Sequence, residues 1–331
     1  MATKVRYDWT LLRAGRFLLD GGGMFGIIPR TVWSRSIETD DRNRITLWHN
    51  ALLLRGGGRT ILIEAGTGDK LDAKMTDIFG LDGRTIEHAV QDAGVDPAEV
   101  NMTVVTHLHF DHAGGLTRRA RGSETPDWIA DKGEASGDQN EVCFTFPNAE
   151  VVAQRQEWND AIANDAVMTR TYYRDHLLPL QIPLSSDRPR LRLIDSPIPF
   201  PHDQRPHRGD TPTSPVRNRR TEIAPGLFVF LVPGHTWGQQ AVMFEDTEGR
   251  TMVFTPDVMP THHHLGQAYS LGYDVEPYTS MLTKHWFLSE AAAGNWHLVL
   301  DHDPGNPVFT VGQGSRGWFE LSPTEISGQG W

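Results

Sequence analysis

Three histidines and one aspartate stand close together in residues 107–112, which read His-Leu-His-Phe-Asp-His. A β-branched, apolar run precedes them and a pair of glycines follows, which indicates the end of a buried strand. Residues two apart in an extended chain point the same way, so His107 and His109 can reach one point in space. The chain must then turn, and Asp111 and His112 can reach a second point beside the first.

Imidazole and carboxylate groups together form the ligand set that zinc and its first-row neighbours accept. Two ions roughly 3.5–4 Å apart would suit so compact a cluster. The alternative is a solvated, histidine-rich turn, which the number and spacing of these ligand-type residues disfavour. The segment therefore predicts a metal centre.

The same segment resembles the H-x-H-x-D-H signature of the metallo-β-lactamase fold superfamily. Further along, Pro-Gly-His-Thr-Trp-Gly at residues 233–238 resembles the family's G-H-(S/T)-x-G segment. Thr-Pro-Asp at 255–257 is similar to the family's strand end with a bridging aspartate, and Asp-His-Asp at 301–303 to the segment with the final metal histidine. The order and spacing of all four segments fit, and the likeness runs from about residue 45 to about residue 309.

This resemblance implies an α/β fold of the four-layer αββα type, in which two mixed β-sheets lie between helices. It implies a single domain over residues 1–331, and the Pro-, Arg- and Ser-rich stretch 185–220 is interpreted as an irregular insertion. Two divalent metal ions are expected, zinc first, with manganese, iron and cobalt as alternatives. The implied ligands are His107, His109 and His235 for one ion, Asp111, His112 and His302 for the other, and Asp257 as the bridge.

The implied chemistry is hydrolysis of a small ester or lactone by a hydroxide that bridges the metals, with Asp111 orienting the attacking water or accepting its proton. Histidine at position 109 disfavours the diiron oxygen-reducing branch, and aspartate at 257 disfavours the β-lactamase branch that has cysteine there. The chain looks most like the acyl-homoserine lactonases and the related organophosphate hydrolases. Phosphoester, phosphotriester or β-lactam hydrolysis remains open, as does a redox or non-catalytic metal-binding role.

One departure from the lactonases concerns a tyrosine that they carry three residues after the bridging aspartate, where this chain has Pro260. Tyr269, Tyr273 or Tyr278 could supply a phenol instead, and Tyr273 is the candidate chosen. Within the histidine triple at 262–264, His264 is the candidate proton donor to the leaving group, with a structural loop as the alternative.

A glycine-rich segment follows the first predicted strand, residues 5–19. It is interpreted either as a mobile loop whose apolar tip contacts substrate or as an ordinary turn with its aromatic residues in the core. The family's overhanging loop favours the first interpretation. The candidate substrate-binding residues are Met24, Phe25, Ile27 and Trp33.

Several elements must position these residues. A hairpin is predicted from residues 44–54 and 60–64 around three glycines, helices over 85–93, 154–166 and 276–293, and strands before His235, Asp257 and His302. The hairpin's second strand resembles the family strand that ends in D-x-G, but the acid here is Glu64, whose longer side chain leaves its role open. His202 and His207, in the stretch 185–220, are expected to be solvated.

Composition limits the remaining alternatives. A formal net charge of −11 argues against nucleic-acid binding, and the single cysteine, Cys143, cannot form an internal disulfide and is expected to be a buried, inert thiol. No apolar stretch resembles a signal peptide or a membrane span. We therefore expect a cytoplasmic protein that acts on a small molecule, with a homodimer left open.

Overall fold

A computed structural model describes residues 4–163, 171–201, 206–314 and 318–325 of the chain. His202 and the end of the helix predicted over 154–166 lie outside these ranges. The strands within them are β1 (Asp8–Asp20), β2 (Arg44–Gly56), β3 (Arg59–Ile63), β4 (Met102–Val104), β5 (Thr117–Arg119), β6 (Trp128–Ile129), β7 (Glu141–Phe144), β8 (Glu150–Gln154), β9 (Leu191–Ile194), β10 (Thr221–Ala224), β11 (Leu227–Leu231), β12 (Gln240–Glu245), β13 (Thr251–Thr255), β14 (His297–Leu300), β15 (Val308–Gln313) and β16 (Phe319–Pro323). The α-helices are α1 (Gly21–Phe25), α2 (Arg30–Trp33), α3 (Ala73–Ile78), α4 (Ile86–Asp92), α5 (Phe110–Ala113), α6 (Arg155–Ala163), α7 (Arg174–Leu177), α8 (Val216–Arg219) and α9 (Pro277–Gly294). Short 3₁₀ turns cover Pro97–Glu99, Gly114–Leu116, Leu178–Gln181 and His262–His264.

The chain divides into two compact units, each assembled from separate stretches of sequence. Unit 1 comprises Met1–Asp8, Leu18–Leu47 and Asp195–Trp331, and unit 2 comprises Trp9–Phe17 and Trp48–Ile194. The single domain over residues 1–331 stays a prediction from the sequence.

A six-stranded mixed sheet has the order β1-β2-β3-β4-β8-β9, and its last four strands lie wholly in unit 2. The predicted hairpin between β2 and β3 is confirmed: Gly57 and Gly58 form its two-residue turn, with φ of 56° and 73°. Positive φ at both central residues matches the twist of the flanking strands and favours glycine. Strands β3, β4, β8 and β9 run parallel, which brings their carboxyl ends to one edge of unit 2.

The stretch 185–220 is not wholly irregular, which corrects the prediction made from its composition. Leu191–Ile194 forms β9 and pairs in parallel with β8, with Val151 opposite Leu191. Arginine and leucine alternate over residues 190–193, but the surrounding proline and arginine residues conceal that pattern. Val216–Arg219 forms the short helix α8. His207 is exposed, as expected.

Unit 1 contains a seven-stranded sheet in the sequential order β10 to β16. Its neighbours are antiparallel except β13 and β14, which run parallel with Thr255 opposite Leu300. Helix α9 has Pro277 in its first turn and ends at Asn295 in the left-handed conformation. Its residues Phe287 and Leu288 join a buried cluster with Phe230 and Leu298, so the helix packs on this sheet.

The α/β class with mixed sheets and helices is thus as the sequence predicted. The predicted helices over 85–93 and 276–293 correspond to α4 and α9. In the part of the chain that the structure describes, no helix is both long and apolar enough to cross a membrane.

The glycine-rich segment after β1 is not an exposed apolar loop. It forms α1 and α2, with Met24, Phe25 and Trp33 buried, and the ring of Phe25 stacks on Trp33 at 5.1 Å between centroids. Ile27 differs from them, since 69% of its surface is exposed. Of the two interpretations, the one with Phe25 and Trp33 in the core describes the packing.

Candidate metal centre

In unit 2, the ligand-type residues follow the end of β4. The His107 Nε2 and His109 Nδ1 atoms lie 3.1 Å apart, and the rings of His107 and His112 lie 3.9 Å apart. The Oδ2 atom of Asp111 is 3.7 Å from His112 Nε2. All four side chains are buried, so these donors face each other where little water competes for them.

Glu64, whose role the sequence left open, holds this group at two points. It follows β3 directly, and β3 is parallel to β4 with Ile63 opposite Val104, so the two strand ends meet at one edge. Glu64 has φ of 72°, and its Oε1 accepts the backbone N–H of Thr106 at 2.6 Å. Its Oε2 lies 3.1 Å from His112 Nδ1. A carboxylate on Nδ1 leaves the Nε2 lone pair of His112 available for a metal.

Glu157 is a second supporting carboxylate, and sequence reasoning missed it. Its Oε1 accepts the backbone N–H of Leu108 at 2.9 Å and the hydroxyl of Tyr172 at 3.0 Å. Burial, together with the negative charge of Glu157, raises the pKa of Tyr172 well above its usual value, so the phenol stays a donor. The ring of Tyr172 lies 5.0 Å from that of His109. Helix α6 therefore fixes the backbone between two of the histidines.

In unit 1, Asp257 lies between two histidines. Its Oδ2 is 3.1 Å from His235 Nε2, and its Oδ1 is 3.4 Å from His302 Nε2. Asp257 and His302 each stand two residues beyond the end of β13 or β14, and these strands are parallel and in register. Asp301 is a further candidate metal ligand that the sequence did not suggest. One possible ligand atom from each of Asp257, Asp301 and His302 lies within 4.8 Å of the others.

His235 is also held from its other nitrogen. Its Nδ1 lies 2.9 Å from Asp274 Oδ1. Burial lowers the pKa of His235, but the carboxylates of Asp257 and Asp274 outweigh burial and raise that pKa to about 10. The two carboxylates therefore favour a positive charge on the His235 ring.

His264, the candidate proton donor, has a partner within the protein at each ring nitrogen. Its Nδ1 lies 2.8 Å from Thr261 Oγ1, and its Nε2 lies 2.8 Å from the carbonyl oxygen of Met24. Its ring stacks on Phe25 at 4.6 Å, and burial with the nearby Lys284 lowers its pKa to about 3. A neutral imidazole with both nitrogens occupied favours the structural alternative.

Tyr273, the other candidate, is 42% exposed and stands next to Asp274. A Cβ atom added to Gly23 would lie 2.0 Å from the Tyr273 hydroxyl oxygen, so the phenol lies directly against the glycine segment.

Cys143 is buried, and burial raises the pKa of its thiol, in line with an inert role.

The candidate metal ligands in both units fit divalent first-row metals such as zinc. They are imidazole nitrogens and carboxylate oxygens, and His112 and His235 each have a carboxylate on the nitrogen that faces away from Asp111 or Asp257. Buried groups of histidine and aspartate that could bind metal ions are thus present in this chain.

Residues 47–274 match the model of the metallo-beta-lactamase superfamily. This match covers more than half of the chain, and the chain belongs to that superfamily. No curated protein matches the chain.

Three of the solved structures similar to this one are named as hydrolases or lactonases. A probable metal-dependent hydrolase from Staphylococcus aureus has a TM-score of 0.71 at 23% identity, over 98% of this chain and 100% of that one. The dizinc quorum-quenching lactonase AidC, in complex with a product, has a TM-score of 0.68 at 16% identity, over 98% and 97% of the two chains. The hydrolase AbOPH has a TM-score of 0.68 at 16% identity, over 99% and 100%. The TM-scores establish a shared fold, and at these identities the likeness shows the fold alone.

Proposed function

We propose that this protein is a metal-dependent hydrolase that uses two divalent ions, zinc first, to cleave a small ester or lactone. The observation that carries this proposal is Asp257, whose two carboxylate oxygens face one nitrogen each of His235 and His302. A carboxylate between two imidazoles has the donor arrangement of a bridging ligand. The lactonases among the structural neighbours support the substrate class.

When bound, two such ions would lower the pKa of a shared water and polarise the bond to be cleaved. The chain's own residues prepare for that chemistry. Glu64 orients His112, Asp274 orients His235, and Glu157 holds the backbone between His107 and His109. Asp111 would bind metal and would accept the proton of the attacking water.

For the substrate, the exposed side chains of Tyr273 and Ile27 are the proposed contacts. The Tyr273 phenol would donate a hydrogen bond to an oxygen of the ester or lactone. It would thus take the role of the tyrosine that the lactonases carry at the position of Pro260. Met24, Phe25 and Trp33 are buried, and they support the segment that carries Ile27. Cytoplasmic location and a homodimer remain predictions from the sequence.

The test combines metal analysis with a substrate panel. We expect about two zinc-like ions per chain, and hydrolysis of lactones or aryl esters ahead of phosphotriesters and β-lactams. Asp257→Ala should lose metal and turnover together. His285→Ala, an exposed histidine on α9, is the matched control and should retain both.

Full hydrolytic activity in protein with only trace metal would refute the proposal. So would a single redox-active iron per chain together with no hydrolysis of any substrate in the panel. Preferred hydrolysis of phosphotriesters or β-lactams would refute the assigned substrate class and leave the metal-dependent mechanism standing.

A further inference from the structure

Asp274 joins a candidate metal ligand to the turn that precedes it. Its side chain is buried, and each carboxylate oxygen has its own partner. Oδ1 lies 2.9 Å from Nδ1 of His235, and Oδ2 accepts the backbone N–H of Leu271 at 3.2 Å. One side chain therefore fixes both the imidazole and the start of the turn 271–274.

The backbone after Asp274 holds the same histidine from a second direction. The N–H of Val275 donates to the carbonyl of His235 at 3.1 Å, and the N–H of Glu276 donates to the carbonyl of Gly234 at 2.9 Å. Gly234 has φ of 139°, and a Cβ atom there would lie 2.4 Å from the Ser280 nitrogen. His235 is thus restrained by its ring, by its own carbonyl and by the tight approach of the residue before it.

The other end of this turn reaches the glycine segment. The N–H of Gly272 donates to the carbonyl of Gly23 at 2.7 Å, and the Tyr273 hydroxyl lies against the same glycine. Gly26 packs equally closely, because a Cβ atom there would lie 2.5 Å from the carbonyl oxygen of Ser270. Residues 271–276 therefore form a continuous backbone link between His235 and the segment that carries Ile27.

We propose that Asp274 is a positioning residue with two effects: it fixes the tautomer and direction of the His235 ring, and it sets the place of Tyr273. A carboxylate that accepts the Nδ1 proton leaves the Nε2 lone pair for a metal, and Nε2 is the atom that faces Asp257. The first effect concerns metal affinity alone. The second rests on the proposed hydrolase function, because it is expressed in turnover.

The first effect is tested with Asp274→Asn and Asp274→Ala, measured by competition of the protein with a chelator for zinc. Loss of such a supporting carboxylate should weaken zinc binding about 10- to 100-fold. Asp246→Asn is the matched control and should leave zinc affinity unchanged, since the Asp246 side chain is also buried in unit 1 but accepts from Arg250 Nε at 2.6 Å.

A loss of affinity from general unfolding is separated by the ¹⁵N chemical shifts of the His235 ring in the folded variants. In zinc-loaded wild type the Nδ1 resonance should be that of a protonated nitrogen hydrogen-bonded to a carboxylate, and in Asp274→Ala it should move upfield because that hydrogen bond is lost. Unchanged zinc affinity in both Asp274 variants, or an unchanged Nδ1 shift in Asp274→Ala, would overturn the first effect.

The second effect is tested by a double-mutant cycle between Asp274→Asn and Tyr273→Phe, read as kcat/KM at saturating zinc. If Asp274 places the phenol, Tyr273→Phe should cost at least about threefold less in the Asp274→Asn background than in wild type. Equal costs in the two backgrounds would overturn the coupling. If no ester or lactone is hydrolysed, the proposed function and this coupling both fail, and the zinc-affinity and tautomer measurements still decide the first effect.

Discussion

Lys284 on α9 has a buried amino group surrounded by backbone carbonyls. Its Nζ donates to the carbonyl oxygens of His264 at 2.9 Å, Gly266 at 3.4 Å and Tyr269 at 2.5 Å. Burial lowers its pKa from 10.5 to about 7, although the negative charge of Asp274 opposes that change. Protonation of Lys284 is therefore less favourable in the folded protein than in the unfolded chain, and the free energy of unfolding should depend on pH as a result.

The free energy of unfolding should increase with pH, because the chain takes up a proton on Lys284 when it unfolds. Between about pH 7 and about pH 10, the unfolded chain carries a proton on Lys284 and the folded chain does not, so raising the pH favours the folded state. The gain approaches about 1.4 kcal/mol for each pH unit once the folded-state amine is neutral, and it amounts to about 2 kcal/mol from about pH 7 to about pH 9, because the amine is half protonated at about pH 7. Lys284→Met removes this group, so the stability advantage of wild type over the variant should grow by that amount.

The measurement is urea unfolding of wild type and Lys284→Met at several pH values, in metal-free and in zinc-saturated protein. Because other groups titrate in both proteins, the difference between the two free energies of unfolding isolates Lys284. Lys74→Met, at an exposed lysine on α3, is the control and should show a difference that does not vary with pH. A pH-independent difference for Lys284→Met would show that the ammonium stays charged and that the burial argument is wrong.

Further predictions concern the candidate centre and the glycine segment. Glu64→Gln should weaken zinc binding about 10- to 100-fold in chelator competition, because its Oε2 no longer accepts from His112, and an unchanged affinity would contradict that role. Phe25→Ala should lower the free energy of unfolding by about 3–5 kcal/mol, whereas Ile27→Ala, at an exposed position, should change it by less than about 0.5 kcal/mol; similar urea midpoints for the two would contradict the packing described. Cys143→Ser should retain turnover with some loss of stability, and an inactive but fully metallated variant would show that the thiol takes part in the reaction.

The sequence by itself determined the candidate metal ligands and the elements that lead to them. Few residue types bind zinc and similar first-row metals, and the ligand-type residues in 107–112 stand close together in the chain. Their types and short spacing are therefore enough to predict the ligands. The same holds for the β2–β3 hairpin, whose turn glycines are adjacent. Helix α9 was predictable because proline near its start and glycine and asparagine at its end are local signals.

Tertiary structure alone decided which carboxylates support those ligands. Glu64, Glu157 and Asp274 stand 42, 49 and 39 residues from the groups that they hold, and no local pattern connects positions so far apart. Chain folding also decided that Phe25 and Trp33 stack inside unit 1 and that His264 has both ring nitrogens occupied. The local sequence around an aromatic residue that follows glycines is the same whether its ring is exposed or buried. Burial depends on which distant part of the chain packs against the ring.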